Sequence, residues 1–367
     1  MSEENCRLPV ALARANSPNA LDLRRIGANP DYWYPLAWSH ELRRGGVLGR
    51  SFAGEPIVLW RTEGGEACAM EDRCAHRQVP LHLGVVRGNE LKCHYHGWSY
   101  DGTGQCVNVP YLGKHRMSCA VRRYPVREVD GLVFVFPGNA QLAESRLPHT
   151  LGSSQRRDYK TQRLNRDVAC HYSFMHENLF DMNHQFMHRR YMGSITAQCL
   201  GRDHGDHWAQ VEYSFSRTSG KTSLGEHIIV DLMRKKESGA DKDFSDHMRI
   251  RTDYPTQSLK VWVGRNIQQT QDPVLDVWLS YTPLDAAQRT NRTFGYLSVK
   301  KPHLPGLIHV VWPFLVWFTG RIFREDKQIV EYEQRAYDSQ GGDWNKEVFP
   351  PLLDLRTVLA NCGKPMS

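Results

Sequence analysis

Residues 74–96 constrain this chain more than any other stretch. They read Cys74-Ala75-His76, then sixteen residues, then Cys93-His94-Tyr95-His96. Each half offers one thiol and one imidazole. Two such loops can give both sulfurs to one iron and both ring nitrogens to a second, the ligand set of a [2Fe-2S] cluster with a higher potential than an all-cysteine one. Two Cys and two His also suit a closed tetrahedral zinc site, but zinc fingers usually pair their cysteines locally and their histidines separately. Here the types alternate, so Cys74, His76, Cys93 and His96 are the expected cluster ligands and His94 is read as a loop residue. Gly97, Gly102 and Gly104 are turn positions that let backbone N–H groups approach sulfur, and Pro80 stiffens the first loop.

A second constellation runs from His176 through Glu177, Asn178, Asp181 and His184 to His188. Residues three and four apart share a helix face, which puts Glu177, Asp181, His184 and His188 on one stripe of a single expected helix. The interleaved Leu179, Phe180, Met182, Phe186 and Met187 seat that helix in an apolar interior, where ionisable groups are costly unless paired or bound to a cation. A His-x3-His pair alone is weak evidence for a metal. After a cluster motif it is strong.

Together the two segments resemble the Rieske non-heme iron oxygenases, specifically their catalytic alpha subunit. The resemblance implies an α+β chain: an N-terminal all-β Rieske [2Fe-2S] domain, then a helix-grip antiparallel-sheet domain carrying mononuclear Fe(II). It makes His184 and His188 iron ligands, with the shorter of the family's histidine spacings. Asn178 and Asp181 fall on the pattern's catalytic positions, Asp181 as the bridge to the cluster of a neighbouring subunit. The same resemblance implies a homotrimer, and electrons from NAD(P)H through a separate flavin and iron–sulfur reductase, with or without a ferredoxin. No nucleotide-binding fingerprint is present in this chain.

The third iron ligand has to be found among many downstream carboxylates. In Ile322–Glu331, Phe323, Ile329 and Val330 share a helical face with Asp326. Glu325 and Glu331 are read as pointing elsewhere. A carboxylate on an apolar stripe is costly unless ligating or paired, and the family places its carboxylate in a similar Glu-Asp-Lys context. Asp326 is therefore the expected ligand, with Glu333, one heptad along, as the weaker candidate. A salt bridge from Asp326 to Lys327 or Arg321 is the plainer alternative.

At 367 residues, 40% apolar and 24% charged, the chain has room for two cores. Residues 1–30 read as an arm, 31–140 as the Rieske domain, 141–165 as a polar connector and 166–367 as the catalytic domain. Alternating patterns at 56–61, 68–70, 208–215, 258–263 and 275–281 predict strands, and the charged stretch Arg234–Asp246 a loop at the active-site entrance. Nine cysteines without a secretory signal point to a reducing cytoplasm and free thiols outside the cluster. The net charge of +7 is dispersed in pairs, which excludes a nucleic-acid groove and leaves docking of an acidic electron donor.

Leu304–Phe318 is apolar but too short to cross a bilayer, and Pro313 and His309 interrupt it. It reads as a buried segment lining the substrate pocket, or as an interfacial patch admitting lipophilic substrates. Both favour hydroxylation or oxidative demethylation of an apolar aromatic or polycyclic molecule. Ring cis-dihydroxylation and desaturation use the same iron site. Among other classes, an electron carrier would not need residues 166–338, and a metal-free ligand-binding helix-grip protein would not need the His184, His188 and Asp326 set.

Overall fold

The computed structural model describes residues 21–112, 118–148, 156–193, 195–217, 246–262, 272–302 and 304–366. Residues 234–245 of the expected entrance loop lie outside these, as do 1–20 of the arm and 149–155 of the connector. The chain forms two compact units. One spans Ala28–Thr150 together with Thr282–Arg292, and the other takes Met1–Gly27, Leu151–Tyr281 and Thr293–Ser367.

The first unit is all-β. Strands β1 (Tyr34–Trp38), β2 (Val47–Phe52), β3 (Glu55–Arg61) and β4 (Ala67–Glu71) are followed by the short β5 (Val85–Arg87), β6 (Glu90–Lys92), β7 (Ser99–Tyr100) and β8 (Cys106–Asn108). β9 (Arg123–Tyr124), β10 (Val126–Val129) and β11 (Leu132–Val135) complete it. They form sheets in the orders β9-β4-β3-β2, β10-β11-β1 and β5-β6-β7-β8. In β3, Ile57, Val58, Leu59 and Trp60 are all fully buried. The strand is covered on both faces, so strict alternation is not needed there.

The second unit is built on a seven-stranded sheet. Its strands are β12 (Tyr159–Val168), β13 (Ile195–His204), β14 (Trp208–Arg217), β15 (Asp246–Asp253), β16 (Thr256–Trp262), β17 (Leu275–Pro283) and β18 (Asn291–Lys300). Their order is β12-β18-β17-β16-β15-β14-β13, and the pairs from β13 to β17 run antiparallel. Among the described residues its α-helices are α1 (Tyr172–Phe180), the one-turn α2 (Arg189–Met192), α3 (Leu307–Gln340) and α4 (Pro350–Cys362). This is the expected α+β class, with a β unit and an antiparallel-sheet unit bearing helices.

Two sequence expectations are corrected here. Pro313 does not interrupt the apolar run: α3 passes through it between left-handed glycines Gly306 and Gly341, at the loss of one backbone hydrogen bond. Cys199, expected as a free thiol, is disulfide-bonded. It is half-buried at a register irregularity between β13 and β14 rather than sealed in a core. Cys68, Cys106, Cys119, Cys170 and Cys362 form no disulfide, and Cys6 lies outside the described residues.

Candidate active site

The two cysteine–histidine loops close with the same hydrogen-bond pattern. Cys74 N–H donates to Val79 O at 2.9 Å and Gln78 N–H to Cys74 O at 2.8 Å, while Cys93 N–H donates to Trp98 O at 2.8 Å and Gly97 N–H to Cys93 O at 3.1 Å. The residue that turns each loop is left-handed, with φ of 61° at Gln78 and 73° at Gly97. These loops leave β4 and β6 and bring the four expected ligands together. Cys74 and Cys93 are buried in a shared apolar core with Leu81, Leu91 and Tyr100. The His76 and His96 ring centroids are 4.6 Å apart, and His76 stacks on Trp98. His76 Nδ1 is buried without a hydrogen-bond partner among the described residues. An orphaned ring nitrogen two residues from a buried thiol fits a metal cluster and is otherwise hard to sustain. His94 is exposed, as a loop residue should be.

Backbone N–H groups of Tyr95 and His96 donate to the Cys93 sulfur, while burial pushes its thiol pKa up. Tyr100, which composition and spacing gave no reason to single out, accepts from Ala75 N–H at 3.0 Å and places its hydroxyl 3.2 Å from Cys74 Sγ. With Cys74 as a thiolate ligand, that hydroxyl is the donor.

In the second unit the single expected helix is broken. α1 ends at Phe180, Asp181 is extended with φ −92° and ψ 95°, and a 3₁₀ segment follows over Met182–His188. Asp181 causes the restart: its carboxylate accepts from Asn183 N–H at 2.9 Å and from the Asn183 side chain at 2.7 Å, which is cap chemistry that aspartate favours over helix interiors. Tyr213 on β14 fixes the break by donating to Phe180 O at 2.9 Å. The four-residue stripe is accordingly split. Glu177 belongs to a buried ion network with Arg24 and Arg356, and Arg356 also meets Asp343 at 2.7 Å. Asn178 is half-buried on α1. Phe186, expected inside, is 64% exposed, with the Arg189 guanidinium 3.3 Å above its ring.

His184, His188 and Asp326 converge, with ligand atoms all within 4.8 Å of one another. His184 Nδ1 donates to the backbone carbonyl of Asp181, and its Nε2 lies 3.5 Å from Asp326 Oδ1. His188 Nδ1 donates to Glu325 Oε2 at 2.8 Å, and its Nε2 lies 3.1 Å from the same Asp326 oxygen. Both imidazoles are thus held by Nδ1 and present Nε2 to one point beside a carboxylate. Glu325, expected to point elsewhere, does not. A helical step of 100° leaves the neighbour of an inward residue able to reach sideways, and its long side chain grips His188 from α3.

Lys327 turns away to Glu331 and Asp167 O, and Arg321 lies over Trp317, so neither neutralises Asp326. Glu333 is exposed and outside the group. Burial favours neutral Asp326, yet hydrogen bonds from His184 and His188 hold it below the ordinary carboxylate range. Burial likewise disfavours charged His188, and its bonds to Asp326 and Glu325 outweigh that and hold it above the ordinary imidazole range. Two nitrogens and one carboxylate are the donor set of a facial-triad Fe(II) site.

Residues 32–127 match the model of the Rieske [2Fe-2S] domain, and 168–349 that of the vanillate O-demethylase oxygenase C-terminal domain. A 4beta-methylsterol monooxygenase of Methylococcus capsulatus is 30% identical over 93% of this chain and 90% of its own length. This chain belongs to the Rieske non-heme iron oxygenases. The oxygenase component of dicamba O-demethylase from Stenotrophomonas maltophilia is 36% identical over 43% of the chain and 47% of its own. The crystal structure of dicamba monooxygenase bound to dicamba shares the fold at a TM-score of 0.70 and 23% identity, covering 92% of this chain and 96% of that one. As a Rieske oxygenase the chain is an enzyme that uses a [2Fe-2S] cluster and a mononuclear iron. Among the described residues no helix is long and apolar enough to cross a membrane.

Proposed function

We propose that this Rieske oxygenase is the terminal component of a multi-component system that mono-oxygenates an apolar polycyclic molecule, by hydroxylation or by oxidative removal of a methyl group. Cys74, His76, Cys93 and His96 hold the cluster, and His184, His188 and Asp326 hold the mononuclear iron. The observation that carries the second assignment is the convergence of two Nδ1-anchored imidazoles on Asp326. When bound, the iron offers open positions for O2 and the cluster supplies an electron to that site. Glu325 keeps His188 in the tautomer that leaves Nε2 free, and the Asp181 carbonyl does the same for His184.

The functional domains are proposed at 31–140 and 166–367. The electron source is a separate NAD(P)H-dependent flavin and iron–sulfur reductase, acting directly or through a ferredoxin; a relative matched over part of its length is the oxidoreductase NdmD of Pseudomonas putida. Asp181 is the proposed bridge between the cluster of one subunit and His184 of the next in a head-to-tail homotrimer. Its half-buried carboxylate, next to the carbonyl that anchors His184, supports this. The cytoplasm is the proposed compartment, supported by Cys68, Cys106 and Cys119, which form no disulfide.

The polycyclic substrate class follows from the relative that spans nearly the whole chain, named for a 4β-methylsterol. The test supplies purified oxygenase and a reductase with NAD(P)H, ¹⁸O2 and either a 4-methyl sterol or an aromatic methyl ether. Label in the sterol product supports the proposal. Phenol and formaldehyde released from the ether, with no label in the sterol, move the enzyme to the O-demethylases, because the inserted oxygen leaves with the methyl carbon, and two vicinal labels on a ring replace mono-oxygenation by dihydroxylation.

A further inference from the structure

The first turns of α3 are apolar on two faces. Ile308 and Leu315 are buried in the unit, whereas Val310 and Trp317, on the far side by the helical period, are 77% and 49% exposed. A helix that is apolar all round belongs in an interior or in a membrane, and this one has a bare side. The exposed side continues through aromatic contacts: Trp317 meets Tyr191 of α2 at 6.3 Å and Phe314 at 5.7 Å, and exposed Phe186 lies under Arg189.

Among the described residues the charge on this face has one sign. Arg190 lies over Tyr191 and Arg321 over Trp317, and Arg189 and Arg324 are exposed beside them. None of these four arginines forms an ion pair among the described residues. Both segments lack carboxylates, with no Asp or Glu between Asp181 and Asp203 or between Asp285 and Glu325.

We propose that this face of α2 and α3 docks on an anionic phospholipid bilayer surface. Tryptophan, tyrosine and phenylalanine interleaved with arginine are the side chains that rest at the headgroup level, and unpaired arginines complement acidic headgroups. Two-fold self-pairing of this face would set arginine against arginine. The buried side of the same helix carries Asp326, so docking brings the bilayer to the helix of the iron site. The docking itself does not depend on the reaction proposed above.

The experiment is co-sedimentation of the full-length holoprotein with vesicles of phosphatidylcholine alone or mixed with phosphatidylglycerol, at low and high salt. Binding to the anionic vesicles that fades with salt is expected. Arg190→Glu and Val310→Asp should each weaken it roughly ten-fold or more while the cluster spectrum and circular dichroism stay as in the parent. Four results overturn the proposal: no binding to either vesicle; equal binding to the neutral ones; parent-like binding by both variants; or variants that dissociate an oligomer, which would make the face an interface between copies. A raised KM for the electron donor with vesicle binding intact would reassign the face to that acidic partner.

Discussion

Replacing Glu325 tests the geometry of the iron site without removing a ligand. His188 is almost fully buried, with only 3% of its side chain exposed, and its Nδ1–H has Glu325 Oε2 at 2.8 Å as acceptor. Glu325→Ala leaves a buried donor unsatisfied, a cost of about 1–3 kcal/mol. That loss falls on the tautomer that presents Nε2, so Fe(II) affinity should drop roughly 5- to 150-fold, in line with the loss of other carboxylates that orient metal-bound histidines. Glu325→Gln keeps an acceptor but loses charge assistance, worth about 1 kcal/mol and about five-fold in affinity. Anaerobic competition with a colorimetric Fe(II) chelator reads both, and the cluster absorbance serves as a check on folding. The reasoning is refuted if Glu325→Ala binds iron within two-fold of the parent, or if the glutamine variant is as damaged as the alanine one.

Tyr100→Phe removes the hydroxyl beside Cys74 Sγ; a hydrogen bond of about 1 kcal/mol that favours the reduced cluster corresponds to about 40 mV, so spectroelectrochemistry should find the potential lower by that amount. Gly104→Ala should lower the denaturation midpoint far more than Gly88→Ala. Both positions have positive φ, but a Cβ at Gly104 meets Val121 O at 2.3 Å while one at Gly88 meets open space. Iron binding requires neutral His188, whose pKa is raised by Asp326 and Glu325 against its burial, so chelator competition should show affinity falling as pH drops through that raised value, about ten-fold per pH unit. In the iron-free protein the sign reverses. The stability His188 gains is full below the ordinary imidazole range and lost as pH rises through its raised pKa, and that of Asp326 is full above the ordinary carboxylate range and lost as pH falls through its depressed one. Denaturation midpoints of the stripped protein should therefore peak between those two pKa values.

Much of the site was legible because its chemistry is local in sequence. The proposed cluster ligands sit in two short loops, and the His184 and His188 pair lies within one turn-rich stretch, so residue type and spacing are enough to propose them. Asp326 needed one step more, the cost of a carboxylate on an apolar helical stripe. What was missed depends on partners far apart in the chain. Glu325 was set aside by helical phase alone, which places a Cβ but not the end of a long side chain. Tyr213 acts from a strand, and Arg24 with Arg356 turns Glu177 into an ion-network member; no single segment announces either. The break at Asp181 did carry a signal, an aspartate in cap position before Asn183, which the even three-and-four spacing masked. On the surface, Phe186 and Trp317 read as interior by composition, and only their exposure shows otherwise.

The most direct test of the account is iron analysis with EPR and single-turnover activity on the parent and on Asp326→Ala. The account predicts about three irons per parent chain, two in the cluster and one outside it. The variant should keep the reduced-cluster signal, lose the third iron and lose product formation. A variant that retains three irons and turns over would contradict the assignment of Asp326 and with it the proposed site.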